Sequence, residues 1–166
     1  THHGPWIETP SLFIEIGSTA ETWGHLEAAK LLAGIIHRGL GLDGSSGLGK
    51  WTGQGRVVVT LGGGHYAPRG NLLASHEGIW IGHMLATYAL PFVKQDGPPG
   101  GTWAQAIEEA VRSTQQAFPG GTVVVYMDKK SFKGWQRQAI RDYLTAHDLP
   151  LMTSKTFLVA LGLIEN

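Results

Sequence analysis

The chain has 166 residues, 42% of them hydrophobic, and its 13 basic and 13 acidic side chains cancel at neutral pH. This length suits one domain with its own core, and the charge balance excludes a generally basic nucleic-acid binder, so any contact with RNA needs a local patch. Cysteine is absent, which excludes disulfides and thiolate metal ligands and fits a reducing compartment such as the cytoplasm. No apolar run approaches the roughly 20 residues of a membrane span, and we expect no targeting segment.

The first part of the chain predicts a strand, a helix and a long loop. Ser11–Ile16 is typical of a short buried strand. Ser18 and Glu21 have the spacing of a capping box, so a helix is predicted from there to about Arg38. The Gly/Ser-rich stretch Gly39–Gly55 is long for a loop in a compact domain and predicts a flexible insertion.

The remaining chain predicts strands that alternate with helices. We expect strands at Arg56–Leu61 and Thr122–Tyr126, and an edge strand at Pro150–Thr153. Helices are predicted from a capping box at Thr102 to about Phe118 and at Trp135–His147, with a turn at Gln95–Gly101 before the first of them. Ile79–Leu90 is either a strand or a helix, and an apolar helix or docking segment begins at Thr156. This alternation favours an α/β fold with a mixed, largely parallel sheet and helices on both faces. Residues 1–166 are predicted to form a single domain.

Unusual polar residues follow three of the predicted strands. Glu15 lies near the end of the first, the sequence GGGHYAPR at Gly62–Arg69 follows the second, and Asp128–Lys130 follows the strand Thr122–Tyr126. Ligand sites in open α/β sheets lie beyond the carboxyl ends of the strands. We therefore expect these segments to meet at one edge of the sheet.

The GGGHYAPR motif favours a functional loop over a simple turn. Gly62, Gly63 and Gly64 allow a sharp turn whose backbone N–H groups could bind an anion or an oxyanion. His65 offers an imidazole for metal binding or proton transfer, and Arg69 offers a guanidinium for a carboxylate or phosphate. The alternative is a tight turn with a structural histidine and a surface arginine.

Four side chains are weaker candidates, each with an ordinary structural alternative. His2 and His3 are either metal ligands or part of a frayed terminus or tag remnant, and adjacent side chains diverge, so at most one is expected to bind a given metal. Glu15 is predicted to be buried, and a buried carboxylate needs a partner. That partner is either Arg69 in a salt bridge, a metal ion or the amine of a substrate. His83 lies in an apolar segment, where a lone histidine is more often a core residue.

The segment Asp128–Lys130 is either a solvated turn or a base or ligand beside cations for phosphate or RNA, to which Lys133 adds. The sequence contains no standard zinc motif. A metal site would therefore draw its ligands from separate segments, such as His3, Glu15, His65 and His83, as catalytic zinc sites can.

The sequences THHGP, ETPSLFIEIGST, GGGHYAPR, IGHMLATYAL and YMDKKSFKG occur in the same order as in the archaeal- and plant-type D-aminoacyl-tRNA deacylases, which this chain resembles over nearly its whole length. The resemblance implies a phosphorylase/hydrolase-like fold similar to that of peptidyl-tRNA hydrolases. It also implies hydrolysis of the ester between a D-amino acid and tRNA, as translation quality control, with zinc as cofactor and the 3′ end of aminoacyl-tRNA as partner. Members of that family are expected to carry an additional segment before THHGP.

The motif positions give the candidate site residues. Those for catalysis are His3, Glu15, His65 and Tyr66. Those for binding substrate or phosphate are Gly62, Gly63, Gly64, Arg69, Asp128, Lys129 and Lys130. Those for the metal are His2, His3, Glu15, His65 and His83.

In the predicted mechanism, His65 acts as general base or, with His3 or Glu15, holds a zinc ion that activates water. The glycine amides or Arg69 would stabilise the oxyanion or bind the terminal phosphate, and a metal-free route could use the 2′-OH of the substrate. The alternatives are an RNA- or anion-binding module without catalysis and a zinc-dependent amidase or peptidase. We expect a monomer with no DNA or membrane partner.

Overall fold

The computed structural model describes residues 14–45, 49–153 and 156–157. The chain divides into two compact units, Thr1–Thr52 and Gly53–Asn166. Among the described residues, no helix is both long enough and apolar enough to cross a membrane.

The first unit contains one described helix, α1, at Leu26–Gly39. It begins later than predicted, because residues 19–22 form a turn and His25, not Ser18, provides the cap through a hydrogen bond that its Nδ1 accepts from the N–H of Ala28 at 3.2 Å. Described residues between α1 and the next strand form turns and irregular backbone, as the Gly/Ser-rich sequence predicts. The flexibility of this stretch stays a prediction.

The predicted strand at Ser11–Ile16 is wrong where it can be compared. Residues 11–13 lie outside the described residues, and 14–16 have no regular structure. Ile14 and Ile16 are each 42% exposed, and Glu15 is exposed as well. The described part of the first unit contains no strand with which this segment could pair. An extended backbone there would therefore lack partners in that part of the unit for its N–H and C=O groups. The expected burial of Glu15 is therefore corrected.

The second unit is built on a four-stranded parallel sheet. Its strands are β1 at Gly55–Leu61, β2 at Trp80–Leu85, β3 at Gly121–Met127 and β4 at Leu151–Met152, in the order β2-β1-β3-β4. All pairings between these four strands are parallel, so the prediction of a largely parallel sheet is confirmed. The one antiparallel bridge among the described residues joins Val93 to Gly100, outside the sheet. The valine-rich sequences of β1 and β3 suit central parallel strands that are buried on both faces.

Helices cover both faces of this sheet, as predicted. They are α2 at Pro68–Ala74, α3 at Trp103–Ala117 and α4 at Gly134–Ala146. On one face Val59 and Val125 join a buried cluster that includes Ile107 of α3 and Ile140 of α4. On the other face Val58 packs in a cluster with Leu73 of α2.

The structure differs from the sequence prediction at three further places. The ambiguous segment Ile79–Leu90 is the strand β2 followed by a 3₁₀ helix at Thr87–Ala89. Helix α2, directly after the glycine motif, was not predicted. The capping box at Thr102 is wrong although the helix is present: Thr102 has φ −94° and ψ 14°, not the extended backbone of a capping residue, and its side chain makes no capping hydrogen bond.

Candidate functional site

Three loops follow the carboxyl ends of β1, β2 and β3, and hydrogen bonds join them at one edge of the sheet. They are Gly62–Ala67, Ala86–Leu90 and Asp128–Phe132. The N–H of Gly62 donates to the carbonyl of Leu85 at 2.8 Å, and the N–H of Asp128 donates to that of Leu61, also at 2.8 Å. The parallel sheet thus places the glycine motif beside the Asp-Lys-Lys segment, as the sequence predicts.

The peptide groups of Gly63 are held from both sides. Its N–H donates to the hydroxyl of Ser131 at 2.7 Å. Its carbonyl accepts two hydrogen bonds of 3.0 Å from Thr87, one from the backbone N–H and one from Oγ1. Because each neighbouring loop supplies one anchor, the position of Gly63 depends on all three loops.

The side chain of Asp128 organises the loop after β3. Its Oδ2 accepts a hydrogen bond of 3.1 Å from Ser131 Oγ, and its Oδ1 accepts one of 3.2 Å from the N–H of Lys130. Ser131 is thus both the donor to Asp128 and the acceptor for Gly63. Sequence reasoning missed Ser131; its only signal was a hydroxyl three residues after an aspartate, a spacing typical of local side-chain bonds.

Gly62 occupies a space that no side chain would fit. Its φ is +98°, and a Cβ atom there would lie 2.8 Å from Phe132 Cε2 and 2.8 Å from Ser131 Cβ. The N–H groups of Gly62 and Gly63 are both used within the protein. The exposed Gly64 is the one glycine of the three whose N–H makes no hydrogen bond with the described residues. The prediction that these amides bind an anion is thereby narrowed to Gly64.

The candidate side chains of the motif lie on exposed residues of this loop and of the first turn of α2. The rings of His65 and Tyr66 meet edge to face with centroids 4.9 Å apart, and the Nδ2 of Asn71 donates to the carbonyl of Tyr66 at 2.7 Å. Ala67 has a left-handed backbone with φ 38° and precedes α2, in whose first turn the exposed Arg69 lies. The imidazole, the phenol and the guanidinium therefore follow Gly64 within a few residues, all on exposed residues.

Lys129 and Lys130 are exposed in a 3₁₀ helix at Lys129–Ser131, directly after Asp128. The structure thus brings together the predicted glycines, Asp128 and the two lysines at one edge of the sheet. His65 and Tyr66 extend from the same glycine loop, and Arg69 extends from the first turn of α2.

The structure does not bring the remaining predicted ligands into this junction of loops. His83 is half-buried in β2, where its Nε2 lies 3.3 Å from the hydroxyl of Ser113 on α3, and burial lowers its pKa below 6.5. Glu15 is exposed in the first unit, and His2 and His3 lie outside the described residues. Within residues 14–45, 49–153 and 156–157, no group of three or more His, Asp or Glu side chains could hold a metal. Zinc binding therefore stays a prediction.

A separate groove of about 630 Å³ lies between the loop after residue 93 and helices α3 and α4. Its walls include three aromatic side chains, those of Trp103, Trp135 and Tyr143. None of the predicted site residues lines it, so the candidate site remains the edge formed by the three loops.

Comparisons with known proteins identify the family. The sequence profile of the D-aminoacyl-tRNA deacylase family matches residues 1–152. A D-aminoacyl-tRNA deacylase of Arabidopsis thaliana is 42% identical over 160 residues, which cover 90% of this chain and 50% of the relative. The deacylase of Pyrococcus furiosus is 32% identical over 86% of this chain and 44% of its own length, and that of Pyrococcus horikoshii is 39% identical over 83% and 44%.

The chain thus spans about half the length of the curated relatives it matches. A crystal structure of a conserved protein of unknown function, AF0625, superposes with a TM-score of 0.55 at 22% identity, over 85% of this chain and 42% of that one. This likeness supports the α/β fold alone. The profile match and the relatives together show that the chain belongs to the D-aminoacyl-tRNA deacylase family.

Proposed function

We propose that this chain hydrolyses the ester bond between a D-amino acid and tRNA, with the edge formed by the three loops as its active site. The observation that carries the proposal is the hydrogen-bonded junction of Gly62–Ala67 with the loops after β2 and β3. It holds the GGGHYAPR motif, by which the chain resembles its family, on a rigid support while its polar groups stay exposed. Rigid positioning of reacting groups is the main requirement of such a site.

Ester hydrolysis needs a group that activates water and a donor for the oxyanion that forms. His65 supplies the imidazole for the first task. The N–H of Gly64 supplies a donor for the second, because the preceding two amides are already bonded. Arg69 adds a permanent positive charge for the oxyanion or the terminal phosphate. The ring of Tyr66 meets that of His65 edge to face, so it lies beside the proposed base.

The role of Asp128 follows from its partners. Both carboxylate oxygens already accept hydrogen bonds, one from Ser131 and one from the backbone of Lys130. We therefore assign Asp128 to positioning the loop rather than to general base catalysis. The proposal includes a zinc ion, as the family resemblance implies, together with the expected cytoplasmic location and monomeric state.

The test compares matched D- and L-aminoacyl-tRNAs as substrates of the purified chain, with release of the amino acid as the readout. We expect selective hydrolysis of the D form and a fall of about 10² in rate for His65→Ala, as for loss of a general base. His37→Ala, on α1, is the matched histidine control.

Unchanged turnover in a folded His65→Ala variant would remove His65 from the mechanism. Binding of aminoacyl-tRNA without cleavage would support a binding module instead. Cleavage of acyl amides but not of aminoacyl esters would support an amidase.

A further inference from the structure

Positive charge is concentrated at the candidate site and along α4. Five of the 13 basic residues lie between positions 129 and 141, with no acidic residue among them. These residues, called the α4 basic surface below, are Lys129, Lys130, Lys133, Arg137 and Arg141. Because the chain as a whole has no net charge, this is a local excess that its composition does not require.

Three of these cations follow one flank of α4. Lys133 immediately precedes the helix, and Arg137 and Arg141 follow at intervals of four residues, which places them one above another. Like charges at this spacing destabilise a helix. The acidic Asp142 lies further around α4, where its Oδ1 accepts a hydrogen bond from Gln138. The stability of the helix therefore does not explain the arrangement.

None of the five basic side chains forms an ion pair with a carboxylate of the described residues. The ion pairs among those residues join Lys30 to Glu27 and Arg112 to Glu109, and neither involves the α4 basic surface. Lys129, Lys130 and Lys133 are exposed. Their charges are thus open to an anionic partner.

The surface is continuous with the candidate site. Arg137 Nη1 donates to the carbonyls of Lys129 at 3.2 Å and of Phe132 at 2.8 Å, so the guanidinium ties the 3₁₀ helix to α4. Phe132 in turn packs where a side chain on Gly62 would lie. A ligand that follows α4 would therefore arrive at the glycine loop.

We infer that the α4 basic surface binds the phosphodiester backbone of the tRNA acceptor end and directs its 3′ terminus to Gly62–Ala67. This inference rests on the proposed function, because it assigns the RNA part of the same substrate. Phosphates are the part of RNA that a row of lysines and arginines binds without reading sequence. The length of the row along α4, about 12 Å at 1.5 Å per residue, covers a few consecutive nucleotides.

The experiment measures binding of a deacylated acceptor-stem RNA hairpin with an unpaired 3′ end to the purified chain, over a series of salt concentrations. The variant is Lys133→Gln with Arg141→Gln, which spares the hydrogen bonds of Arg137. The control is Lys30→Gln with Arg112→Gln, which removes the same charge from residues that have acidic partners. Circular dichroism and thermal unfolding verify that both variants are folded.

The variant is expected to weaken binding by about tenfold at low salt and to reduce the slope of log Kd against log salt by about 1 to 2. The control should bind like the unaltered chain. The inference would be overturned if the variant bound the hairpin with the affinity and salt slope of the unaltered chain, or if the control weakened binding as much as the variant. It would also be overturned if the same residues bound phosphatidylserine vesicles and the chain did not bind RNA. If the chain binds RNA through this surface but does not cleave the ester, the proposed hydrolysis alone is refuted. If the chain cleaves the ester but the variant binds RNA as tightly as the unaltered chain, this inference alone is refuted.

Discussion

The backbone N–H of Gly63 donates a 2.7 Å hydrogen bond to the hydroxyl of Ser131, which joins two loops 68 residues apart in sequence. The hydroxyl of Ser131 in turn donates a hydrogen bond of 3.1 Å to Oδ2 of Asp128. Ser131→Ala removes both bonds and leaves the N–H of Gly63 without its acceptor. We expect a loss of about 1–3 kcal/mol in the free energy of unfolding and slower hydrolysis of D-aminoacyl-tRNA, because the glycine loop loses one anchor.

Urea unfolding and the D-aminoacyl-tRNA assay check this prediction. Ser75→Ala is the matched control, because it removes one exposed side-chain bond to the carbonyl of Leu72, outside the three loops. Wild-type hydrolysis by Ser131→Ala would mean that the bond to Gly63 does not position the site. Restored hydrolysis in Ser131→Thr, which keeps the hydroxyl, would support a positioning role.

A second prediction concerns the space beside Gly62. Gly62→Ala places a methyl group 2.8 Å from the ring of Phe132 in a backbone with φ +98°, so both the contact and the conformation are unfavourable. We expect a loss of about 2 kcal/mol or more in the free energy of unfolding. Gly64→Ala is the comparison, because a Cβ atom at Gly64 would have nothing within 4 Å and the φ of this residue is not in the left-handed region. Equal stability of the two variants in urea would show that the Gly62 contact is relieved at no cost.

Sequence patterns predict the central sheet well because the information is local. The valine runs of β1 and β3 predict buried strands. The glycine-histidine motif directly after β1 predicts a functional loop there, and the loops after β2 and β3 form hydrogen bonds with it. The amphipathic pattern likewise predicts α3 and α4. In each case the residues that form the element also carry the signal.

The features that sequence reasoning missed depend on partners far away in the chain. The role of Ser131 depends on its hydrogen bond with Gly63, and no sequence pattern near position 131 predicts that contact. The isolated apolar alternation around Ile14 predicts a strand, yet a strand forms only with a neighbour to pair with. The available N–H of Gly64 could be distinguished from those of Gly62 and Gly63 only after the acceptors Leu85 and Ser131 were located.

The zinc prediction leads to a direct measurement. If His2, His3, Glu15, His65 and His83 include the ligands, the purified chain should carry about one zinc ion, as metal analysis by mass spectrometry would detect. Chelation should then lower D-aminoacyl-tRNA hydrolysis, and added zinc should restore it. His3→Ala should lose the metal, whereas His147→Ala, on a histidine without a predicted role, should keep it. Metal-free protein with full activity would exclude zinc and favour the route that uses the substrate 2′-OH.

The pH dependence of stability tests the environment of His83. Burial lowers its pKa in the folded chain below the usual 6.5, and the negative charge of Glu109 offsets only part of that effect. The unfolded chain therefore binds a proton more readily than the folded chain. The contribution of His83 to stability is complete above pH 6.5 and is lost as the pH falls from 6.5 through the lowered pKa.

His83→Gln removes this titration and keeps a polar side chain that can reach Ser113. Urea unfolding at pH 5, 6, 7 and 8 is expected to show a smaller loss of stability on acidification in His83→Gln than in the unaltered chain. His76→Gln, which changes a histidine outside the strands, controls for the general effect of removing an imidazole. If the unaltered chain and His83→Gln lose stability in parallel below pH 6.5, His83 is protonated equally well in the folded and unfolded chain, and its place as a buried neutral histidine of β2 would have to be abandoned.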